Sequence, residues 1–147
     1  MRVLGLSLLA FVFSASVAVA QSPSPVTAED ALSHILDEPT TLQRDAWFDA
    51  NAKGKVVAWA APVFDVNPSF SIVIVTTRPT ERGLVACTVP EAFHAAAKKL
   101  KKDEAVLCVG VVEDYEQMLG AALINVNAKE VIVGKDKIDA WQKAHKK

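Results

Sequence analysis

The sequence predicts a mainly β domain with helices: a small closed barrel of five antiparallel strands, one helix between the third and fourth strands, two leading helices and one C-terminal helix. Three observations carry this reading. Five β-rich runs are parted by turn residues. The first run, Lys55 to Val66, is long and has Pro62 in its middle, which suits a strand that must bend and serve both sides of a closed barrel. The segment from Gly83 to Val112, GLVACTVPEAFHAAAKKLKKDEAVLCVGVV, reads as strand, helix, strand.

The first twenty residues stand apart. Arg2 precedes an apolar run that ends in Ala18, Val19 and Ala20, small residues of the kind a signal peptidase accepts. We expect cleavage after Ala20 and a periplasmic or secreted product; the competing reading is an uncleaved anchor. No other apolar run is long enough for a membrane span. QSPSPV, residues 21–26, reads as a flexible leader, and residues 27–147 as one domain.

Thr27 is placed to cap a first helix with Asp30 three residues on, and Ala28, Ala31, Leu32, Ile35 and Leu36 form its apolar stripe. Thr40 or Thr41 caps a second helix through LQRDAWFDANA, with Gly54 as its stop. Trp47 and Phe48 are adjacent, hence about 100° apart, so one is expected in the core and the other against a barrel end. In strand one, Val57, Trp59, Ala61 and Val63 share a face. Strand two is expected over Phe70 to Thr76 and strand three over Leu84 to Val89. A helix follows from Pro90 to Lys102, ending in Lys98, Lys99, Lys101 and Lys102. Strand four is Ala105 to Val112, an acidic loop runs from Glu113 to Gly120, and strand five is Ala121 to Val126 with a short extension at Glu130 to Val133. Asp136 caps a last helix that turns Ile138 and Trp141 inward.

This order is that of the OB-fold. The residues also resemble a family. GKVVAWAAPVFDV after a Trp-bearing helix, then KKDEAVLCVGVVEDY, is similar to the small OB-fold domains of the tRNA-anticodon-binding-like group found in exported bacterial proteins. The resemblance covers roughly Thr41 to Val133 and implies a fold; it carries over no catalytic or binding residue. The ligand face of such barrels uses strands two and three with the loops joining strands one and two and strands four and five. Here those loops are DVNPSF and EDYEQMLG.

Composition and motifs narrow the chemistry. With 16 basic and 17 acidic side chains the net charge is −1, which gives no general attraction to nucleic acid or anionic membrane. G-x-S-x-G, C-x-x-C, H-E-x-x-H and phosphate-cradling glycine loops are missing. His34, His94 and His145 fall on separate helices without ligand spacing, so no metal or other cofactor is expected. We therefore expect a non-enzymatic binding module for a protein or small ligand in the cell envelope, with Phe70, Arg78, Arg82, Asp114, Tyr115 and Glu116 as candidate contacts. The alternative is a single-stranded oligonucleotide binder using Lys98 to Lys102 with Arg78 and Arg82. The acidic loop, with Tyr115 as its lone aromatic, disfavours that choice. Cys87 and Cys108 have inward parity on strands that are not ladder neighbours. They read either as a disulfide closing a loop of about twenty residues or as two small buried thiols.

Overall fold

The computed structural model describes residues 21–69 and 71–146. The expected leader cleavage therefore lies outside the described residues, as does Phe70. In chain order the elements are α1 (Ala28–Asp37), α2 (Thr41–Asn51), β1 (Val56–Ser69), β2 (Ile72–Thr80), β3 (Gly83–Val89), a 3-10 turn (Glu91–Phe93) running into α3 (His94–Ala97), β4 (Ala105–Met118), β5 (Ala121–Val133) and α4 (Lys135–His145). The strands close in the order β1-β2-β3-β5-β4, the OB-fold arrangement. Closure brings one departure from an all-antiparallel barrel. β3 and β5 pair in parallel, Gly83 opposite Ala122 through Thr88 opposite Asn127, because the chain crosses the barrel end after β3 and returns along β5 in the same direction.

β1 shows how closure is achieved. Its first half pairs with β4, Val56 opposite Val111 through Pro62 opposite Ala105, and its second half pairs with β2 from Val63 to Ser69. The register slips between Val63 and Asp65, one residue beyond Pro62. Val57, Trp59 and Val63 point into the core as period two requires, and Trp59 Nε1 donates to the Val26 carbonyl at 2.9 Å. Ser24 N–H donates to the Val56 carbonyl at 2.7 Å, so the leader is tied down along β1 from Ser24 to Val26.

Both barrel ends are stoppered by side chains. α1 buries Ala28, Ala31, Leu32 and Ile35 over the β2–β3 and β4–β5 end, where Leu32 packs against Gly83. Thr27 Oγ1 accepts from Asp30 N–H at 3.1 Å, which satisfies one free donor of its first turn. Thr40 caps α2 in the same way through Gln43 N–H at 3.2 Å. Phe48 is buried and Trp47 stacks on the His34 ring at 4.0 Å, the division expected of adjacent aromatics. At the other end Ala97 is buried, with Phe93 and Leu100 packed beside it. α4 lies outside the barrel, where Ile138 and Trp141 cover Leu107, Val109 and Ala58.

Four expectations need correction. The helix expected from Pro90 to Lys102 is a 3-10 turn and one α-turn, His94–Ala97, so the four lysines lie beyond it. The chain must return to the β1 edge, where Asp103 N–H donates to Val63 O at 2.8 Å and Val63 N–H to Glu104 O at 2.9 Å. Lys98 to Lys102 lie in the turn that makes this return. The acidic loop from Glu113 is strand: β4 continues to Met118, paired to β5 down to Met118 opposite Ala121. Pairing with the apolar start of β5 overrides the low β-propensity of its acids. β5 is likewise continuous across Asn127 to Lys129: Val109 pairs with Glu130 and Gly110 with Ala128, so Lys129 is the extra residue of a bulge. Finally, α4 is capped by Gly134 at φ +96°, and Asp136 sits in its first turn.

Cys87 and Cys108 are joined by a disulfide, with Cα atoms 6.6 Å apart, inside the barrel. It links β3 to β4 across β5 and closes a loop of sequence separation 21. Replacing both cysteines with alanine is expected to lower stability by roughly 3 kcal/mol, read as a lower urea midpoint. Gly110 offers a second check. A Cβ there would sit 2.2 Å from the Asn127 carbonyl oxygen and 2.7 Å from Ala128 Cα, both backbone atoms that cannot swing aside. Gly110→Ala should cost about 2 to 3 kcal/mol in the same measurement.

Candidate binding face and the hairpin tip

Strand register places one continuous outer surface on view. Val73, Val75 and Thr77 of β2, Val85, Cys87 and Val89 of β3, and Ile124 and Val126 of β5 point inward, so their neighbours in sequence point out. The pairings then line up rows across the sheet. One row runs Asp65, Thr76, Ala86, Asn125, Asp114; the next runs Asn67, Ile74, Thr88, Asn127, Val111. A third joins Leu84, Leu123 and Glu116. The centre of this face is small or apolar, and its border carries carboxylates.

A register shift between Val112 and Asp114 decides which acidic-segment side chains reach that face. The extra residue reverses the alternation, so Asp114 and Glu116 turn out while Tyr115 turns in. Asn125 Nδ2 donates to Asp114 Oδ1 at 2.6 Å, holding that carboxylate on the rim. Arg78 also belongs to the face. Its guanidinium lies 3.9 Å from the centroid of the Phe64 ring, a cation–π contact that engages both groups.

Tyr115 and Arg82 do other work: they clasp the leading helices to the barrel. The Tyr115 hydroxyl donates to Asp45 Oδ1 at 2.5 Å, and its ring meets Phe48 edge-on at 4.8 Å. Arg44 donates to Gln117 two residues further along β4. Arg82 Nε donates to the Gly120 carbonyl at 3.1 Å, and its guanidinium lies 3.9 Å from Asp37. Of the expected contacts, Arg78, Asp114 and Glu116 share the outer face, whereas Tyr115 and Arg82 hold α2 and α1 on the hairpin.

Sequence reasoning missed the tip of that hairpin. Met118 and Ala121 pair, leaving a two-residue turn of Leu119 and Gly120 with φ +35° and +81°. Positive φ at both positions is the requirement of a type I′ turn, which favours Asn-Gly. Leucine in that region is strained by about 1 kcal/mol or more. Yet Leu119 is fully exposed, and Met118 beside it is 61 % exposed. The sequence signal was a bulky apolar residue before glycine in an otherwise acidic run.

Among the described residues no cluster of His, Cys, Asp or Glu could hold a metal ion, and no helix is long and apolar enough to cross a membrane. The three histidines are engaged separately: His34 Nδ1 with Glu38 at 3.0 Å, His94 Nε2 with the Val89 carbonyl at 2.9 Å and His145 Nδ1 with the Trp141 carbonyl at 2.7 Å.

Fold and surface together define an OB-fold barrel with an open outer sheet face. No family model matches the chain, and no curated protein does. Among solved structures, a putative aspartyl-tRNA synthetase from Leishmania major Friedlin matches 81% of this chain and 22% of its own, with TM-score 0.51 and 12% identity. Asparaginyl-tRNA synthetase from Pyrococcus horikoshii complexed with asparaginyl-adenylate matches 74% of this chain and 21% of its own, with TM-score 0.48 and 20% identity. OBody AM1L10 bound to hen egg-white lysozyme matches 56% and 81%, with TM-score 0.46 and 20% identity. The chain thus spans about a fifth of each synthetase, 22% and 21%. At 12% identity the first likeness shows the fold alone.

The clasp has a pH signature. Burial first, then the hydrogen bond and charge of Asp45, push the Tyr115 hydroxyl up to about 12 from its ordinary value of 10.0. Because the folded state holds this proton more tightly, its stabilisation is complete below pH 10 and is lost as pH rises towards 12. Tyr115 is the one tyrosine in the chain, so a phenolate absorbance titration reads it directly. The midpoint should lie well above 10, and Tyr115→Phe should flatten the fall in stability across that window.

Proposed function

We propose that this chain is an exported, non-enzymatic binding module that recognises a protein partner through the outer face of β2, β3 and β5 and the tip of the β4–β5 hairpin. The observation that carries the reading is Leu119. A large apolar side chain is kept in strained backbone, fully exposed, where asparagine would fold better. Strain retained at an exposed tip is the pattern of a contact residue. Met118 beside it and Ile72 at the other end of the face extend the apolar contact area. Asp65, Asp114 and Glu116 set the charge of the border, so the partner's complementary surface is apolar at its centre and basic at its rim.

Export is supported by the apolar leader and by the Cys87–Cys108 disulfide, which persists in oxidising compartments. The oligonucleotide reading has less support. The carboxylates on the face repel phosphate, Arg82 is tied to Gly120 and Asp37 at the barrel end, and the Phe64 ring is covered by Arg78.

Leu119→Asn separates function from folding. It removes the apolar tip while relieving the turn, so stability should rise by about 1 kcal/mol. Affinity capture from the native envelope fraction should recover a protein with the wild-type chain and lose it with Leu119→Asn and with Glu116→Lys. Equal recovery by all three would contradict the assignment.

A further inference from the structure

The outer arm of β1 leaves a strand edge open. β4 accompanies β1 only as far as Pro62, and the ladder ends with Val63 bonded to Asp103 and Glu104. From residue 64 to 69, β1 pairs with β2 on one side and, among the described residues, with no strand on the other. In an antiparallel pair, alternate residues turn their N–H and C=O groups away from the partner, so this arm presents unpaired main-chain groups. Pro68 contributes only its carbonyl there.

The edge forms one wall of an open groove. The turn after α3 stands opposite, and the groove between them has Val66, Pro68 and Leu100 as apolar wall, with Lys98 and Lys102 along it. Both lysines are exposed, and neither lies within ion-pair distance of a carboxylate among the described residues. Asp65 is the acid lining the groove. A strand edge, an apolar wall and two uncommitted cations specify three features of an occupant: extended backbone, alternating small apolar side chains and carboxylates.

We infer that this groove takes an extended acidic segment of a partner protein, added as a strand to the open edge of β1, with its carboxylates on Lys98 and Lys102. This is strand addition, in which main-chain hydrogen bonds supply affinity and flanking side chains supply selectivity. It is a second contact surface, which meets the outer face at Asp65 and carries two lysines in place of that face's bordering carboxylates. A single-stranded nucleic acid meets the lysines but not the edge, since it has no peptide groups to pair, and Arg78 covers the nearby Phe64 ring.

The test uses the full mature chain and a short capped peptide alternating valine and glutamate, with a valine–lysine peptide and oligothymidylate as controls. At low salt the acidic peptide should shift the amide resonances of Asp65, Val66, Asn67 and Ser69 and of Leu100 to Lys102, and should slow amide exchange along the arm. Lys98→Glu with Lys102→Glu, both at exposed positions, should weaken binding about tenfold or more while leaving the remaining resonances in place. Oligothymidylate binding with the same footprint would make the groove a general polyanion site and overturn the inference. So would acidic-peptide binding without slowed exchange in the arm, or no binding at low salt. Peptide-free association, concentration-dependent and mapping to the same residues, would assign the groove to a second copy of this chain.

Discussion

The change of partner along β1 is the constraint on which the rest of the molecule depends. The sheet closes because β1, besides its ladder with β2, also pairs with β4 at the far edge, and along β1 the partner changes from β4 to β2 at Pro62 and Val63. Proline suits the handover because it has no N–H to place in a ladder, and the register slip beside it turns the strand. The segment after the one-turn α3 then joins β1 at Val63 through Asp103 and Glu104. The same handover leaves the outer arm of β1 unpaired and sets the lysine-bearing turn across from it.

Much of this architecture was legible in the residues. The inward set Val57, Trp59 and Val63 follows from strict alternation, and the bend from a proline inside a long strand. Thr27 and Thr40 announced the two leading helices through capping, a local interaction that survives in any tertiary setting. What escaped the sequence was decided by distant partners. Glu113 to Met118 has neither the branching nor the apolar alternation of a strand, and becomes one because β5 lies beside it. The shift at Val112 then reverses side-chain direction, so Tyr115, the obvious aromatic candidate, turns toward Phe48 and Asp45. Likewise the alanines and lysines after Pro90 have good helix propensity, yet the return to β1 governs their conformation.

The candidate site was legible in part for the same reason. Arg78, Asp114 and Glu116 share the outer face, while Arg82 and Tyr115 stand at the barrel end and bind the leading helices down. That clasp gives α1 and α2 a role beyond covering hydrophobic surface. Through Asp37, Arg44 and Asp45 they brace both sides of the β4–β5 hairpin, and a braced hairpin can hold a leucine in left-handed backbone at its tip. The result is a closed barrel with an apolar, acid-bordered face on one side and a lysine-lined groove at the β1 edge.

The central claim is that the outer face and hairpin tip are the contact surface, and its most direct test is a methyl cross-saturation footprint with the partner that affinity capture recovers. The account predicts that Ile72, Ile74, Leu84, Met118, Leu119 and Leu123 receive saturation together, as one surface spanning β2, β3 and the hairpin. Saturation confined to the α4 side, around the exposed Ala140 and Ala144, with the Leu119 and Leu123 methyls untouched, would contradict it.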